Sequence, residues 1–392
     1  MKGEIRHVMS RQKPHVLRGK GVEMKIKWLA AFAVIAMTTS PIYSEENPPI
    51  RIAVINDQSG LYADAGGLGS VVGARIAAEE FGGEVLGRKI EIIGLDHQNK
   101  PDVAANLARK LIAVDHVDLI TDGASSAAAL AINEITKSSK TVFAVTGSAS
   151  TDFTGKACSS TTFQFTFDTY ALANGTAKAI LKQGGDTWFF LTVDYAVGHS
   201  MQRDVTRFVE QAGGKVLGSV KHPLNNSDFS SYLLQAQASK AKVIGLANAG
   251  PDAMNALKQG SEFGITQGGQ TFAGLIVFIS EVNTVGLEVA QGLVLTTSFY
   301  WDIDDKTRLI SERFALRACL KQDARASRQR RIQQGRRGSP GWSRSSRYVS
   351  GEGEGTCRVQ KPNDYYQILA KIPGNEAFRP RSQSECPLVT KN

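Results

Sequence analysis

The chain has 392 residues, of which 42% are hydrophobic, and a length of this kind predicts two domains or lobes rather than one small core. Its formal net charge of +9 is unevenly distributed, because residues 1–27 carry a net +6 and residues 317–347 a net +9, which leaves −6 for the rest. A mildly acidic body without a basic stripe argues against nucleic acid as a partner.

Residues 24–44, MKIKWLAAFAVIAMTTSPIYS, have the pattern of a secretory signal peptide. Two lysines precede a ten-residue apolar run, Pro41 ends the helix, and Ser44 is a small residue suited to a cleavage site. The apolar run has half the length of roughly 20 residues that a membrane-spanning helix needs. We therefore expect residues 1–23 to be an upstream extension and the mature, exported chain to begin near Glu45.

If the protein is exported, its four cysteines are expected to form disulfides rather than metal sites, because they lie in an oxidising compartment. None of them lies in a CxxC pair. Cys319 and Cys357 lie at the ends of an atypical segment that is described below, whereas Cys158 and Cys386 lie in otherwise regular sequence. A Cys158–Cys386 disulfide is therefore the preferred pairing.

From residue 50 onward, short β-rich runs alternate with amphipathic helical stretches. The first set comprises IRIAVI, a helix near 67–81, KIEIIGL, a helix over 101–114, VDLI, a helix near 125–137, and TVFAV. The second set comprises FQFTF, a helix over 169–182, TWFFLTV, a helix over 198–211, KVLGSV, a helix over 228–238, KVIGLA, and a helix over 251–263. Strands separated by such helices predict an α/β fold with two doubly wound lobes of parallel sheet.

The loop after the first run, NDQSGLYADAGGLGSVVG, is rich in glycine but does not have the spacing of a nucleotide-binding loop. Its best match to the GxGxxG dinucleotide-binding motif begins at Gly67, well after the strand ends. The loop also contains the acidic Asp64 and lacks the lysine of a P-loop. One interpretation is a flexible turn that packs a helix against the sheet. The other is the edge of a ligand cleft at the carboxyl ends of the strands, with Tyr62 and Asp64 projecting into it.

Comparable polar loops follow other strands. TDGASS follows VDLI and TGSAST follows TVFAV, while Asp194 with Tyr195 and Asn248 with Asp252 follow strands of the second set. Ordinary helix capping explains each loop taken alone. Hydroxyl groups and free N–H groups at helix N-termini also attract carboxylates, and several such loops at one crevice favour a shared site.

Motifs of catalysis are absent from the exported sequence. Its histidines form no HExxH motif, and GHS at residues 198–200 is not the GxSxG of a nucleophile elbow. We therefore expect a protein that is not an enzyme and that needs no metal or cofactor. The alternative, an exported enzyme on two α/β lobes, would require an acid, base or nucleophile that converge in the cleft.

The body contains SGLYADAGG, DHQNKPDVAANLARKLI, DGASSAAALAINEI, TGSASTDFTG, ANAGPDAMNALKQGSEFGI, QGLVLTTSFYWD and NDYYQILAKIPGNEAF. As a set, these stretches resemble the periplasmic solute-binding proteins of ABC transporters, and most of all the leucine/isoleucine/valine-binding group. The likeness covers roughly residues 48–316 and 360–390. It implies the type I periplasmic-binding fold, in which two Rossmann-like lobes joined by a three-strand hinge close on a ligand.

The resemblance also implies a domain plan. After the extension and signal peptide, residues 1–44, lobe 1 would comprise residues 45–165 plus 300–360 and lobe 2 residues 166–299 plus 361–392. Loop by loop, the groups that resemble the family's carboxylate-binding contacts in lobe 1 are Ser125 or Ser126 and the turn Ser148-Ala149-Ser150. The groups that resemble its closing contacts in lobe 2 are Tyr195 and the region of Asn248.

The implied function is that of a periplasmic monomer that captures a small carboxylate, above all a branched-chain amino acid, and delivers it to an ABC permease in the inner membrane. A ligand sensor of the same fold is the alternative, and neighbouring permease and ATPase genes would distinguish the two. The lip LYADAGG departs from the pattern of the amino-acid binders. The acid that would pair with a ligand ammonium stays open among Asp64, Asp194, Asp252 and Glu281, so an aromatic or other organic acid is a second ligand class.

A larger departure follows Phe314. Residues 317–359 are rich in Arg, Ser, Gln and Gly and have little apolar periodicity, whereas the family continues with helices of lobe 1. A basic disordered insertion is one explanation. A shifted reading frame that is corrected downstream is the favoured one, because it accounts for the abrupt edges, the charge and the missing helices together.

The frameshift hypothesis predicts that the DNA between codons 316 and 360, translated in the other two frames, encodes a helix-patterned sequence that joins the flanking regions. Sequencing the gene and translating all three frames tests this. If neither alternative frame contains apolar residues at helical spacing, the segment is a true insertion.

Overall fold

The computed structural model of the chain describes residues 47–318, 372, 374–380 and 383–388. The predicted signal peptide, Cys319, Cys357 and almost all of the atypical segment 317–359 lie outside the described residues. None of the described helices is both long enough and apolar enough to cross a membrane.

The first sheet has six strands in the order β2-β3-β1-β4-β5-β6. Its strands are β1 (Ile50–Asn56), β2 (Glu84–Val85), β3 (Arg88–Asp96), β4 (Leu119–Asp122), β5 (Val142–Val145) and β6 (Thr162–Gln164), and its helices are α1 (Gly67–Glu80), α2 (Pro101–Ala113) and α3 (Ser126–Ser139). All neighbours run parallel except the β2–β3 hairpin. The first strand therefore lies inside the sheet, between β3 and β4.

The second sheet has five strands in the order β11-β10-β9-β7-β8, and all its pairs are parallel. Its strands are β7 (Thr187–Val193), β8 (Lys215–His222), β9 (Val243–Ala249), β10 (Thr271–Ile276) and β11 (Val294–Leu295). The helices around it are α4 (Thr169–Lys182), α5 (Ala196–Gln211), α6 (Ser230–Ala238), α7 (Gly250–Glu262), α8 (Ile279–Val285) and α9 (Leu287–Ala290). Here too the first strand, β7, lies between the next two.

Both faces of the second sheet are apolar, which is why TWFFLTV reads as a continuous hydrophobic run rather than an alternating one. Trp188 and Phe190 pack on one face with residues of α4 and α5. Phe189 and Leu191 pack on the other face with residues of α6 and α7. The two layers of helices therefore follow directly from the two buried faces of β7.

The predicted α/β fold with two doubly wound lobes is confirmed. One predicted strand differs: FQFTF was expected to open the second set of strands, but β6 pairs with β5 in the first sheet and ends at Gln164. The reason is that β6 is the edge strand of its sheet and pairs at only three positions before the chain leaves towards the second lobe. The β2–β3 hairpin and the strands β10 and β11 were not predicted, because these elements are short or follow a glycine-rich turn.

The described parts beyond residue 300 contact both lobes. Residues 305–318 are helical, and Arg313 and Arg317 of this segment form ion pairs with Glu80 and Glu79 of α1. Near the C-terminus, Asn174 of α4 donates to the carbonyl of Glu376 (2.6 Å). The predicted boundaries of the two lobes stay a prediction.

The C-terminal stretch is also tied to the first lobe. Cys158 and Cys386 form a disulfide bond whose two cysteines are separated by 228 positions in sequence. Next to it, the hydroxyl of Ser384 donates to the carbonyl of Thr154 (3.0 Å). The C-terminal residues 383–388 therefore lie beside the loop that follows β5.

Gly245, in the middle of β9, permits the close approach of two aromatic rings. A Cβ at this position would lie 2.7 Å from Cδ1 of Phe190 and 3.3 Å from Cε3 of Trp188. We predict that Gly245→Ala lowers the free energy of unfolding by about 1–3 kcal/mol through overpacking. The control is Gly73→Ala in α1, where no atom lies within 4 Å of the added Cβ and stability should rise by about 0.5–1 kcal/mol. Urea denaturation of both variants measures the difference, and a neutral Gly245→Ala would contradict this packing.

Candidate functional site

The polar loops of the two lobes lie at the carboxyl ends of the parallel strands. In each sheet the first strand is internal, and the strands that follow it lie on opposite sides of it, so the strand order reverses there and a crevice opens at its carboxyl end. Asn56 ends β1 and Tyr195 follows β7, and both positions are therefore at such a crevice. This is the place where open α/β sheets bind their ligands.

Tyr62 makes a contact between the lobes. Its loop is shaped by the buried Asp57, whose carboxylate accepts the backbone N–H groups of Gly60 (2.6 Å) and Tyr62 (2.9 Å). The Tyr62 side chain is 6% exposed, and its hydroxyl is hydrogen bonded to the hydroxyl of Tyr195 at 2.5 Å. The structure thus brings together two of the predicted site residues, one from each lobe.

The backbone of the second lobe makes room for the Tyr62 ring at Gly250. This glycine has a φ of +57°, and a Cβ on it would lie 3.4 Å from two atoms of the ring. Burial raises the pKa of both tyrosines, and the Asp252 carboxylate raises them further. Both phenols are therefore protonated at neutral pH, and the pair acts as a donor and acceptor of neutral hydrogen bonds.

The predicted serines form a second buried group at the N-terminus of α3. The hydroxyls of Ser126 and Ser148 are hydrogen bonded to each other at 2.8 Å. The hydroxyl of Ser150 accepts the N–H of Asp152 (3.2 Å), and Ser125 and Ala149 are also buried. The carbonyl of Ala149 accepts the N–H of Thr169 (2.6 Å), so this turn connects directly with the start of α4.

Asp64 lies elsewhere, exposed at the mouth of the crevice. It lines a groove of about 620 Å³ whose walls are Gly60, Leu61, Asp64, Gln98, Asn99 and Lys100 from the first lobe and Leu224, Asn225 and Pro251 from the second. A larger depression of about 750 Å³ lies along the outer face of α5. Because one helix alone lines that depression, it is not part of the crevice.

The other three acids that could pair with an ammonium already accept hydrogen bonds from the protein. The exposed Asp194 is held by His199 (2.7 Å) and Lys221 (3.1 Å). The buried Asp252 accepts the N–H groups of Asn225 and Asn226, and the buried Glu281 accepts from the backbone of Phe278 and the hydroxyl of Ser280. Each of these acids therefore has a structural role at a helix end or on the surface.

Asp122, which is buried at the carboxyl end of β4, was not among the predicted site residues. Its carboxylate accepts from Asn56 Nδ2 (2.8 Å) and from Ser70, and burial raises its pKa from 3.8 to about 6. Gly147 leaves room for it, since a Cβ there would lie 1.9 Å from Asp122 Oδ1. The TDG pattern of the loop could have drawn attention to it, but nothing in the sequence shows that its side chain turns inward.

A buried polar cluster near the point where the chain crosses between the lobes was also not predicted. Asp204 of α5 is fully buried, and its Oδ2 accepts from the hydroxyls of Thr151 (2.9 Å) and Thr169 (2.6 Å). Ser200 Oγ is hydrogen bonded to the same two hydroxyls. Thr151 lies after β5 and Thr169 begins α4, so these bonds fix the point at which the chain crosses between the lobes.

The raised pKa of Asp122 predicts a pH-dependent stability. The folded state holds the proton more tightly than the unfolded state, so this group lowers stability as the pH rises from about 4 to about 6. Asp122→Asn should therefore raise the free energy of unfolding by about 3 kcal/mol at pH 7.5 and by only about 1 kcal/mol at pH 4.5. Urea denaturation at the two pH values measures this, with Asp115→Asn as the control. An equal gain at both pH values would contradict the buried, proton-binding carboxyl.

The chain matches known proteins over most of its length. Residues 49–327 match the family model described as periplasmic binding protein, and this match ends inside the atypical segment. A crystal structure of a periplasmic binding protein from Burkholderia mallei is 45% identical, with a TM-score of 0.66, over 69% of this chain and 74% of that one. A branched chain amino acid ABC transporter periplasmic ligand-binding protein from Burkholderia xenovorans LB400 is 37% identical, with a TM-score of 0.61, over 68% and 71%.

A curated relative gives the same result. The Leu/Ile/Val-binding protein homolog 4 of Brucella abortus is 24% identical over 291 residues, which are 71% of this chain and 68% of that protein. The match to the family model covers well over half of the chain, and the two-lobed fold agrees with it. The chain is therefore a member of the periplasmic binding protein family, which includes substrate-binding proteins of ABC transporters.

Proposed function

We propose that this protein is a periplasmic solute-binding protein that captures a small organic carboxylate and delivers it to an ABC permease of the inner membrane. The observation that carries the proposal is the buried pair of hydroxyls, Ser126 and Ser148, at the N-terminus of α3. The action is binding without chemical conversion, as in the family to which the chain belongs.

The N-terminus of α3 suits a carboxylate for two reasons. Its first N–H groups have no partners within the helix, and the helix dipole places partial positive charge there. Ser125 precedes the helix without making a side-chain capping bond, so its hydroxyl does not occupy these N–H groups. Ser125, Ser126 and the turn Ser148-Ala149-Ser150 would then surround the carboxylate with neutral donors.

The second lobe would complete the site by closing on the ligand. Tyr62 and Asp64 stand on the lip of the first lobe, and Tyr195 and Asn248 at strand ends of the second. A ligand that contacts both groups binds the closed arrangement more tightly than the open one and shifts the equilibrium towards it. The Thr151–Thr169–Asp204 cluster would act as the fixed pivot of this hinge motion.

Two classes of carboxylate are the ligands to test first. Branched-chain amino acids follow from the names of the relatives, in which leucine, isoleucine and valine recur. Aromatic and other organic acids follow from the acids of the crevice, because three of the four candidate partners of an ammonium, Asp194, Asp252 and Glu281, already accept hydrogen bonds from the protein and only the exposed Asp64 is left. The carboxylate is common to both classes, and the proposal depends on it.

The first test is thermal melting of the full-length protein with L-leucine, L-isoleucine, L-valine, benzoate and 4-hydroxybenzoate. A ligand at a hundredfold excess over its Kd stabilises the native state by about 2.7 kcal/mol and raises the melting temperature. We expect at least one carboxylate to do so and its primary amide to have no effect. If no carboxylate shifts a cooperative transition, the proposal is wrong.

A pair of variants tests the location of the site. Ser126→Ala and Ser148→Ala should each weaken the binding of that carboxylate by about tenfold, since each removes one hydrogen bond to a charged group. Ser138→Ala is the matched control, because Ser138 lies at the other end of α3 and donates to the carbonyl of Ile135. Isothermal titration calorimetry measures the three affinities. Equal affinity of all three variants and the wild type would place the carboxylate elsewhere.

A further inference from the structure

The described C-terminal residues contact both lobes within a short stretch of chain. On the side of the second lobe, Asn174 of α4 donates to the carbonyl of Glu376 (2.6 Å). On the side of the first lobe, Cys386 is joined by the disulfide to the loop that follows β5. We call residues 374–380 and 383–386 the C-terminal clasp, because the disulfide makes this part of the chain a covalent connection between the lobes.

One side chain of the clasp, Arg379, reaches the buried cluster of Thr151, Thr169 and Asp204. The Arg379 side chain is 6% exposed, and its Nη2 lies 3.6 Å from Oδ1 of the fully buried Asp204. Its guanidinium also lies over the ring of Tyr170, 5.5 Å from the ring centroid. Oδ2 of the same aspartate accepts from the two threonine hydroxyls. The clasp therefore places a buried positive charge beside the carboxylate that holds both threonines.

The charge of Asp204 depends on guanidinium groups for compensation. Its Oδ1 accepts no hydrogen bond from the residues that the structure describes. A second guanidinium, that of Arg207, lies 3.9 Å from this oxygen, but the Arg207 side chain is 27% exposed and so is more strongly screened by water. A buried carboxylate that loses its counter-charge is strongly unfavourable. Withdrawal of Arg379 would therefore weaken the cluster.

Arg379 also offsets the charge of a second buried carboxyl group. Asp168 is 4% exposed and stands at the start of α4, where it accepts the N–H of Ala171 (2.7 Å). Burial raises the pKa of Asp168 to about 6, the Asp204 carboxylate raises it further, and the Arg379 guanidinium lowers it. Without Arg379, two buried carboxyls of like charge would face each other where the chain crosses between the lobes.

The disulfide is the strong attachment of the clasp to the first lobe. The contact next to it is one exposed hydrogen bond, from the hydroxyl of Ser384 to the carbonyl of Thr154 (3.0 Å). The net contribution of a single hydrogen bond in contact with water is small. Once the disulfide is open, this contact alone would not hold the clasp, and Arg379 would be free to leave the cluster.

The disulfide can exchange with a dithiol. Cys158 is half-buried and Cys386 is 6% exposed, so a thiolate approaches from the side of Cys158. Its attack on the Cys158 sulfur forms a mixed disulfide and displaces the Cys386 sulfur as a thiolate, which takes up a proton. The second thiol of the reductant then attacks the mixed disulfide and releases Cys158 as a thiol. Both cysteines are reduced, and the dithiol is oxidised to its disulfide.

We propose that the C-terminal clasp is a redox-sensitive regulator of the hinge between the lobes. In the oxidised form it holds Arg379 against Asp204 and keeps the lobes in the arrangement in which Tyr62 meets Tyr195. In the reduced form the clasp leaves the first lobe, and the lobes take up a wider range of orientations. The consequence for the ligand rests on the proposed function: when a smaller fraction of the protein is closed, a ligand that contacts both lobes binds more weakly.

The test uses the full-length protein with Cys319→Ser and Cys357→Ser, so that Cys158 and Cys386 are its only cysteines. Dithiothreitol is the dithiol, and alkylation followed by mass measurement verifies that the disulfide is reduced. Cys386→Ser in the same background has no disulfide and controls for other effects of the reductant. It should behave like the reduced protein both with and without dithiothreitol.

The first readout is hydrogen exchange, measured by mass spectrometry without ligand. We expect reduction to accelerate exchange about tenfold in residues 151–157 and 168–174, which contain the cluster, and to leave β7 and β9 unchanged. Unchanged exchange around the cluster would overturn the inference. Equal acceleration in all strands would also overturn it, because the disulfide would then serve only global stability.

Variants of Arg379 assign the effect to its charge. The oxidised Arg379→Met protein should exchange around the cluster as fast as the reduced parent does. Arg379→Lys keeps a positive charge and should restore most of the protection. Arg109→Met is the control, since Arg109 is exposed on α2 and donates to the side chain of Asn106. If Arg379→Met exchanges like the oxidised parent, Arg379 does not hold the cluster.

The second readout is the affinity for the carboxylate that raises the melting temperature. Isothermal titration calorimetry should show binding about tenfold weaker in the reduced protein than in the oxidised protein. Equal affinities would overturn the inference and leave the proposed function standing. If no carboxylate binds, the proposed function is wrong, and hydrogen exchange alone decides whether the clasp controls the hinge.

Discussion

The position of the first strand inside each sheet is the constraint on which the site depends. β1 lies between β3 and β4, and β7 lies between β8 and β9. Because the next two main strands lie on opposite sides of such a strand, the connecting segments turn away from each other and leave its carboxyl end uncovered. The side chains that meet between the lobes, Tyr62 and Tyr195 among them, follow directly from these two uncovered ends.

Two polar contacts between the lobes differ in the number of their hydrogen bonds. At the lip, the hydroxyls of Tyr62 and Tyr195 are paired, and the Tyr62 ring lies against Gly250. Where the chain crosses between the lobes, two threonines, a serine and a fully buried aspartate share one network. In the proposed function the larger network would be the fixed pivot, and the smaller contact would open and close with a few kcal/mol of ligand contacts.

Buried polar groups in the crevice act through orientation more than through charge. Asp57 shapes the lip loop by accepting two backbone N–H groups, and His222 fixes the amide of Asn248 in the same passive way. The tyrosines remain protonated because burial raises the pKa of each. These buried groups therefore present neutral donors and acceptors in fixed directions.

Several loops of the candidate site could be predicted from the sequence, because the ends of strands can be located from hydrophobic periodicity. The run TWFFLTV and the helix over residues 169–182 have the same limits in the structure as in the prediction. The loops after these strands could therefore be named, including Ser126, Ser148 and Tyr195. Hydroxyl-rich turns cap helices in many proteins, so the pattern alone does not assign a binding role to these loops. The resemblance to the family supplied that expectation.

The sequence by itself determined the class of fold, the alternation of strands and helices, and the loops that could carry a ligand, since all of these depend on local periodicity and turn chemistry. Only the tertiary structure decided which polar groups already have hydrogen-bond partners within the protein. Asp252 and Glu281 resemble possible ligand contacts in sequence, yet in the fold they accept hydrogen bonds from their own loops. Hydrogen bonding between residues far apart in sequence, such as His222 with Asn248, depends on three-dimensional proximity, which no local pattern records.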